Sequence, residues 1–235
     1  MVLRPIQQLV NVNDCFDAQS HDSKFFVKVL RGAQALERME RQVAVMRVME
    51  GRGLPVPTCV SSAQLGERLT CVITTWIEAL PLRYLDFRGR TTELFMEQLG
   101  MILRCFHELL ERGGMPEAAA PLETMATPEL LEPAAIHGLG ARRAERLLQL
   151  HDLLMAWMSK QKWALIHGDV QDKNLLLGRD GRLSLCDFEV IRHGPVVMDL
   201  AVDRIFLKRT LEEHQRERLQ RLLCGGYGPG ADDLI

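Results

Sequence analysis

Residues 165–189 read LIHGDVQDKNLLLGRDGRLSLCDFE, and the fold turns on how they are read. Three oxygen-bearing side chains, Asp169, Asn174 and Asp187, stand there among runs as apolar as LLL and LSLC. The preceding WALI, 163–166, has the pattern of a short buried strand. HGDVQDKN follows as a polar loop, LLL as a strand, GRDG as a turn and RLSLCD as the returning strand, which makes a hairpin. A hairpin folds Asp187, at the end of its second strand, back beside Asn174, just before its first. Asp169 lies on the loop that leads in. The apolar strands fix the positions of the three oxygen groups.

Such a cluster suits Mg²⁺, which takes hard oxygen ligands and keeps waters and substrate phosphates in its shell. Phosphoryl transfer needs a metal to neutralise phosphate charge and a carboxylate to orient the attacking hydroxyl. The order H-x-D, then N, then D, matches the catalytic-loop pattern of kinases, with Asn174 five positions after Asp169. In that pattern Asp169 is the base, and Asn174 with Asp187 holds the metal.

Outward from this stretch the chain divides into two characters. Towards the N-terminus, KFFVKVL at 24–30 is rich in strand formers, and 33–50 carries Leu36, Met39, Val43, Met46 and Met49 at helical spacing. GRGLPVP ends that helix, and TCVSSAQ and RLTCVITTWI read as two strands joined by a turn at Leu65, Gly66 and Glu67. After EALPL, residues 91–113 form an amphipathic helix pattern, 115–140 a Pro- and Ala-rich insert, and 141–161 another long helix. Two more helical segments are expected at 197–209 and 211–224. The plan is α+β: a small-sheet lobe with one helix over 1–80, including the hinge, and a mainly helical lobe over 81–235.

HGD, DFE and then HGPVVMDLA, with Asp199 opening a helix, give a chain that resembles the aminoglycoside phosphotransferase and choline kinase superfamily. The resemblance is specific over 165–201. It implies a two-lobed protein-kinase-like fold, ATP and Mg²⁺ as cofactors, and a small hydroxyl-bearing acceptor. Lys28 in FFVKVL fits the strand lysine that grips the nucleotide phosphates. Glu40 is the first choice for its acidic partner on the following helix. Glu37 stands behind it, and the apolar stripe brings Gln42 nearer to the expected place. VITTWIEALPL fits the hinge, with adenine held near Trp76, Ile77 and Glu78. His167 is expected to brace the loop. Asp199 is expected to accept its backbone N–H groups and to cap its own helix. Glu189 and Asp203 are candidates for contact with the acceptor, Glu189 also for a distant metal shell, while Glu212 and Glu213 read as solvated faces. Asp172 reads as an outward-facing loop residue.

The chain departs from kinases in two places. Residues 1–31 contain no glycine, so either NVNDCFDAQSHDS covers the phosphates or the covering loop is short and loose. Only FEVIRHGPVVM separates Asp187 from Asp199, which leaves no room for a peptide-docking activation segment. The acceptor is therefore expected on the helical lobe. A macromolecular acceptor, such as lipopolysaccharide, RNA or protein, and a non-catalytic nucleotide-binding scaffold remain the open alternatives. The composition is that of a globular protein: 235 residues, 47% hydrophobic, 26% charged, formal net charge −2. That charge argues against a nucleic-acid binder driven by bulk electrostatics, and no DNA partner is expected. Six scattered cysteines, no CxxC pair and no apolar run long enough to span a membrane point to the cytoplasm.

Overall fold

The computed structural model describes residues 2–6, 13–84, 90–109, 140–206 and 211–231. The insert at 115–140 lies outside them except for Gly140. The first lobe is a five-stranded antiparallel sheet in the order β1-β2-β3-β5-β4, from Val2–Pro5, Asp14–Gln19, Lys24–Arg31, Cys59–Gly66 and Leu69–Thr75 in chain order. In the middle strand β3, Lys28 lies opposite Cys15 of β2 and Val72 of β5. NVNDCFDAQSHDS is thus largely strand β2 and its turn rather than a loop, and residues 7–12 lie outside the described part.

Helix α1, Ala35–Gly51, packs on this sheet through Met39, Val43, Met46 and Met49, which join Leu30 and Val72 in the core. Its end is set by Gly53 at φ 72°, a backbone state open to glycine. The Gly53 N–H donates to Glu50 O and the Leu54 N–H to Met49 O, which satisfies two terminal carbonyls of the helix.

The sheet leaves through residues 76–78 into β6, Ala79–Pro81. That strand pairs with β8, Leu175–Gly178, so the hinge runs straight into the expected hairpin. β8 and β9, Leu183–Leu185, are antiparallel with Leu175 opposite Leu185. β7, Trp163–Ile166, pairs instead with β10, Arg192–Pro195. Around them stand α2, Arg90–His107, α3, Ala141–Met158, the short α4, Val197–Leu200, and α5, Val202–Ile205, and finally α6, Glu213–Tyr227.

The helix expected over 197–209 is broken. Ala201 is extended (φ −79°, ψ 108°), and Gln220 of α6 occupies the break. Its amide accepts from Val202 N at 3.3 Å and donates to Leu200 O at 3.0 Å. The gap is filled by a side chain from far along the sequence, which local periodicity does not carry. α6 starts where Glu212 and Gln215 form a reciprocal cap. α2 and α6 approach until a Cβ on Gly100 would stand 2.2 Å from Leu223 O, and one on Gly226 2.0 Å from Glu97 O. No described helix is long and apolar enough to cross a membrane.

Candidate active site

The loop after β7 is built on one buried carboxylate. Asp199, 1% exposed, accepts from His167 N at 2.6 Å and from Gly168 N at 2.9 Å. Gly168 has φ 79°, and a side chain there would meet Val190 O at 2.9 Å, so the sharp turn requires glycine. Asp199 does not cap its own helix, whose N-cap is Val196. Its third partner is His107 on α2, whose Nε2 lies 3.1 Å from Oδ2 while Nδ1 lies 3.1 Å from the hydroxyl of Tyr227 on α6. Burial works to raise Asp199, but the His107 hydrogen bond and the neighbouring imidazoles and amide outweigh it and hold the carboxyl below its usual range.

His167 is fully enclosed. Nε2 lies 3.1 Å from Cys186 O, and Nδ1 accepts from Asp169 N at 3.3 Å. Burial lowers its pKa, and both ring nitrogens are used in bracing the loop, so it is no free base.

Asp169 receives Gln171 Nε2 at 2.6 Å, Asn174 Nδ2 at 2.9 Å and Lys173 Nζ at 2.9 Å. Asn174 also donates from Nδ2 to Asp169 O at 2.9 Å, which leaves its amide oxygen for a cation. The Cys186 N–H donates to Asn174 O at 3.0 Å and closes the hairpin, so Asp187 emerges beside Asn174 as the strand pattern requires. Asp187 has φ 68° and ψ 64°, the one positive φ of a non-glycine among the described residues. Such strain is characteristic of functional sites. The thiol before it, Cys186, is pushed up to about 12, chiefly by burial, and is inert.

Lys28 points from β3 into the same place. Its Nζ lies 2.5 Å from Asp187 Oδ1 and 2.7 Å from Glu189 Oε2. Burial opposes its charge, but the two carboxylates outweigh that and hold the ammonium above its ordinary range. Burial likewise would raise Asp187, and the Lys28 charge and hydrogen bond reverse this and lower it.

Glu40, expected to pair with Lys28, is exposed, since the residues that turn inward on α1 are Met39, Arg41, Gln42 and Val43. Glu37 is bound to Arg41 at 2.9 Å. Glu189, a candidate for the acceptor, faces the sheet lobe instead: besides Lys28 it holds Arg38 of α1 and Asn13. Asp203 pairs with Arg216 at 2.6 Å on the surface. Asp172 is buried, and its backbone ties Arg83 N and Ile205 O together. In the hinge, Trp76 carries the Lys24 ammonium 3.6 Å over its ring, its N–H bonds to Lys24 O, and Glu78 is exposed.

Sequence reasoning missed Arg38, Asn13, Gln171, Lys173 and His107. For His107 a signal existed: it lies four residues after Leu103 on the apolar stripe of α2, where a polar group needs a buried partner. For Arg38 there was none, because a long cation on a helix reads as solvent-facing.

What remains is a fixed cation on Asp187, a carboxylate on a braced loop, and an amide oxygen at the start of the strand that pairs with the one leading to Asp187. This donor set is all oxygen and fits Mg²⁺ bound mainly by waters and phosphates.

Comparison with curated protein sequences finds no match. Among solved structures, a microcompartment-associated aminopropanol kinase superposes with TM-score 0.71 at 16% identity, covering 98% of this chain and 78% of that one. An aminoglycoside-3'-phosphotransferase of type VIII gives 0.67 at 17%, covering 99% and 88%. A spectinomycin phosphotransferase solved with ADP and spectinomycin gives 0.59 at 17%, covering 96% and 74%. The fold is therefore that of these two-lobed kinases. The model of the phosphotransferase enzyme family matches residues 11–232, and the chain belongs to that family.

Proposed function

We infer that this protein transfers the γ-phosphoryl group of ATP to a hydroxyl of a small molecule. The observation that carries the reading is the meeting of two pairs: Lys28 Nζ lies 2.5 Å from Asp187 Oδ1 and Asn174 Nδ2 lies 2.9 Å from Asp169 Oδ2, and the Cys186 N–H to Asn174 O bond of 3.0 Å ties the strands that carry them. Lys28 engages the nucleotide phosphates, and residues 76–78 hold the base. Asn174 and Asp187 would hold Mg²⁺, which supplies charge neutralisation on the phosphates when bound. Asp169 orients the acceptor hydroxyl and takes its proton. The acceptor oxygen forms the new P–O bond as the bond to the β-phosphate oxygen breaks and ADP leaves. Catalysis is mainly positioning and charge stabilisation.

Two features support a small acceptor. The stretch between Asp187 and Asp199 is used up by one helical turn and by β10, which is paired to β7, so no segment is left to dock a peptide. The three relatives named above act, by their names, on an aminopropanol, an aminoglycoside and spectinomycin. Thiols outside any disulfide at Cys59, Cys71 and Cys105, and the use of ATP, fit the cytoplasm.

The test is transfer from ATP labelled at the γ-phosphate, with Mg²⁺, across aminoglycosides, macrolides, choline, homoserine, sugars and a cell extract. Label on one small-molecule class is the expected result. Label only on macromolecules of the extract would overturn the small-acceptor reading.

A further inference from the structure

We propose that Glu189 is the positioning carboxylate of Lys28, doing from the loop after Asp187 what an acid on α1 was expected to do; this rests on the phosphotransferase reading above. Among the described residues Lys28 has two anionic neighbours, Asp187 and Glu189. They are not equivalent. Asp187 would be shared with Mg²⁺ under the reading above, and a carboxylate divided between two cations would hold the ammonium less firmly.

Glu189 is committed to protein. Its Oε2 receives Lys28 and, at 2.5 Å, Asn13 Nδ2, while its Oε1 receives the guanidinium of Arg38. Both oxygens are engaged by donors from three separate parts of the sheet lobe, and the side chain is only 13% exposed. Three of its roughly four acceptor positions are thus taken by protein donors. One turn further along α1, Arg41 donates to Ile191 O at 3.3 Å. The helix thus grips the segment after Asp187 with two arginines, and the charge order is inverted: α1 brings cations and the segment brings the acid.

The test uses the full chain with Glu189→Gln, Arg38→Gln and Glu40→Gln. One readout is the affinity for Mg²⁺ and a fluorescent ADP. The other is the rate at which Lys28 is acylated by an N-hydroxysuccinimide ester in the nucleotide-free protein, followed by mass spectrometry with Lys24 as internal reference. Glu189→Gln is expected to weaken ADP about tenfold and to raise Lys28 acylation severalfold. Arg38→Gln should do both more weakly, and it keeps the proposal testable should Glu189→Gln fold poorly. Loss of affinity in Glu40→Gln with normal binding in Glu189→Gln would overturn the proposal, as would unchanged Lys28 acylation in both Glu189→Gln and Arg38→Gln. If the wild type binds no nucleotide, the phosphotransferase reading falls, and the acylation rates alone decide the role of Glu189.

Discussion

Asp169 keeps its carboxylate between three donors, and that makes its role separable from folding. Asp169→Asn retains size and most hydrogen bonds but loses the ability to take a proton. Turnover is expected to fall about 100- to 10,000-fold with ADP affinity preserved, read by steady-state kinetics beside direct binding. Near-normal turnover would remove Asp169 from the mechanism. Asp187→Ala acts elsewhere: Mg²⁺-dependent nucleotide affinity should disappear, and unchanged affinity in a titration with and without Mg²⁺ would count against it as a ligand. At this scale the sequence was most readable where spacing is rigid. Five residues from Asp169 to Asn174 and one short hairpin to Asp187 leave little choice of geometry. It was least readable for the partner of Lys28, because Glu189 is reached across 161 positions and through a strained residue, not along a helix face.

Among elements, the hairpin β8–β9 and the core face of α1 follow from apolar patterning, and both stand where the pattern put them. The split between α4 and α5 does not, since it depends on Gln220. The contact between α2 and α6 was equally silent, because glycine in a helix announces a cost and not its reason. Its reason is close approach. Gly226→Ala should destabilise by about 3 kcal/mol, since backbone stands on the other side of the new methyl. Gly225→Ala, one residue earlier with nothing within 4 Å, should be neutral or stabilise by up to about 1 kcal/mol. Thermal melts of the pair give the comparison, and equal melting temperatures would refute it.

For the whole molecule, acid should act in two stages. His167 has a folded pKa lowered by burial, so the unfolded chain binds more protons below about pH 6.5 and stability declines as pH falls from there. Asp187 and Asp199 have folded values below the usual carboxylate range, Asp187 because Lys28 outweighs its burial and Asp199 because His107 does. Their stabilisation is fully present above about pH 4 and is lost as pH falls through the depressed values. Melting temperature against pH should show both declines, and a flat profile between pH 6.5 and 4.5 would refute the first. Nucleotide should work in the other direction. At a hundredfold excess over Kd, Mg²⁺ and ADP should add about 2.7 kcal/mol, or roughly 5–10 °C in a chain of this size. The passage from a sheet that ends at Thr75 to a mainly helical remainder was legible from a change in periodicity. How the lobes are bolted together, by Arg38, Arg41 and Asn13, was not.

The line from Tyr227 through His107 to Asp199 has a consequence for how the protein is made. Every group assigned to the chemistry has left the ribosome once Glu189 is out, yet the loop that presents Asp169 still lacks the helix that buttresses its anchor. Synthesis of the reactive groups therefore precedes activity by the length of chain up to α6. A nascent chain stalled before residue 213 should carry the complete chemical set and remain silent, and supplying 211–231 as a separate peptide should wake it.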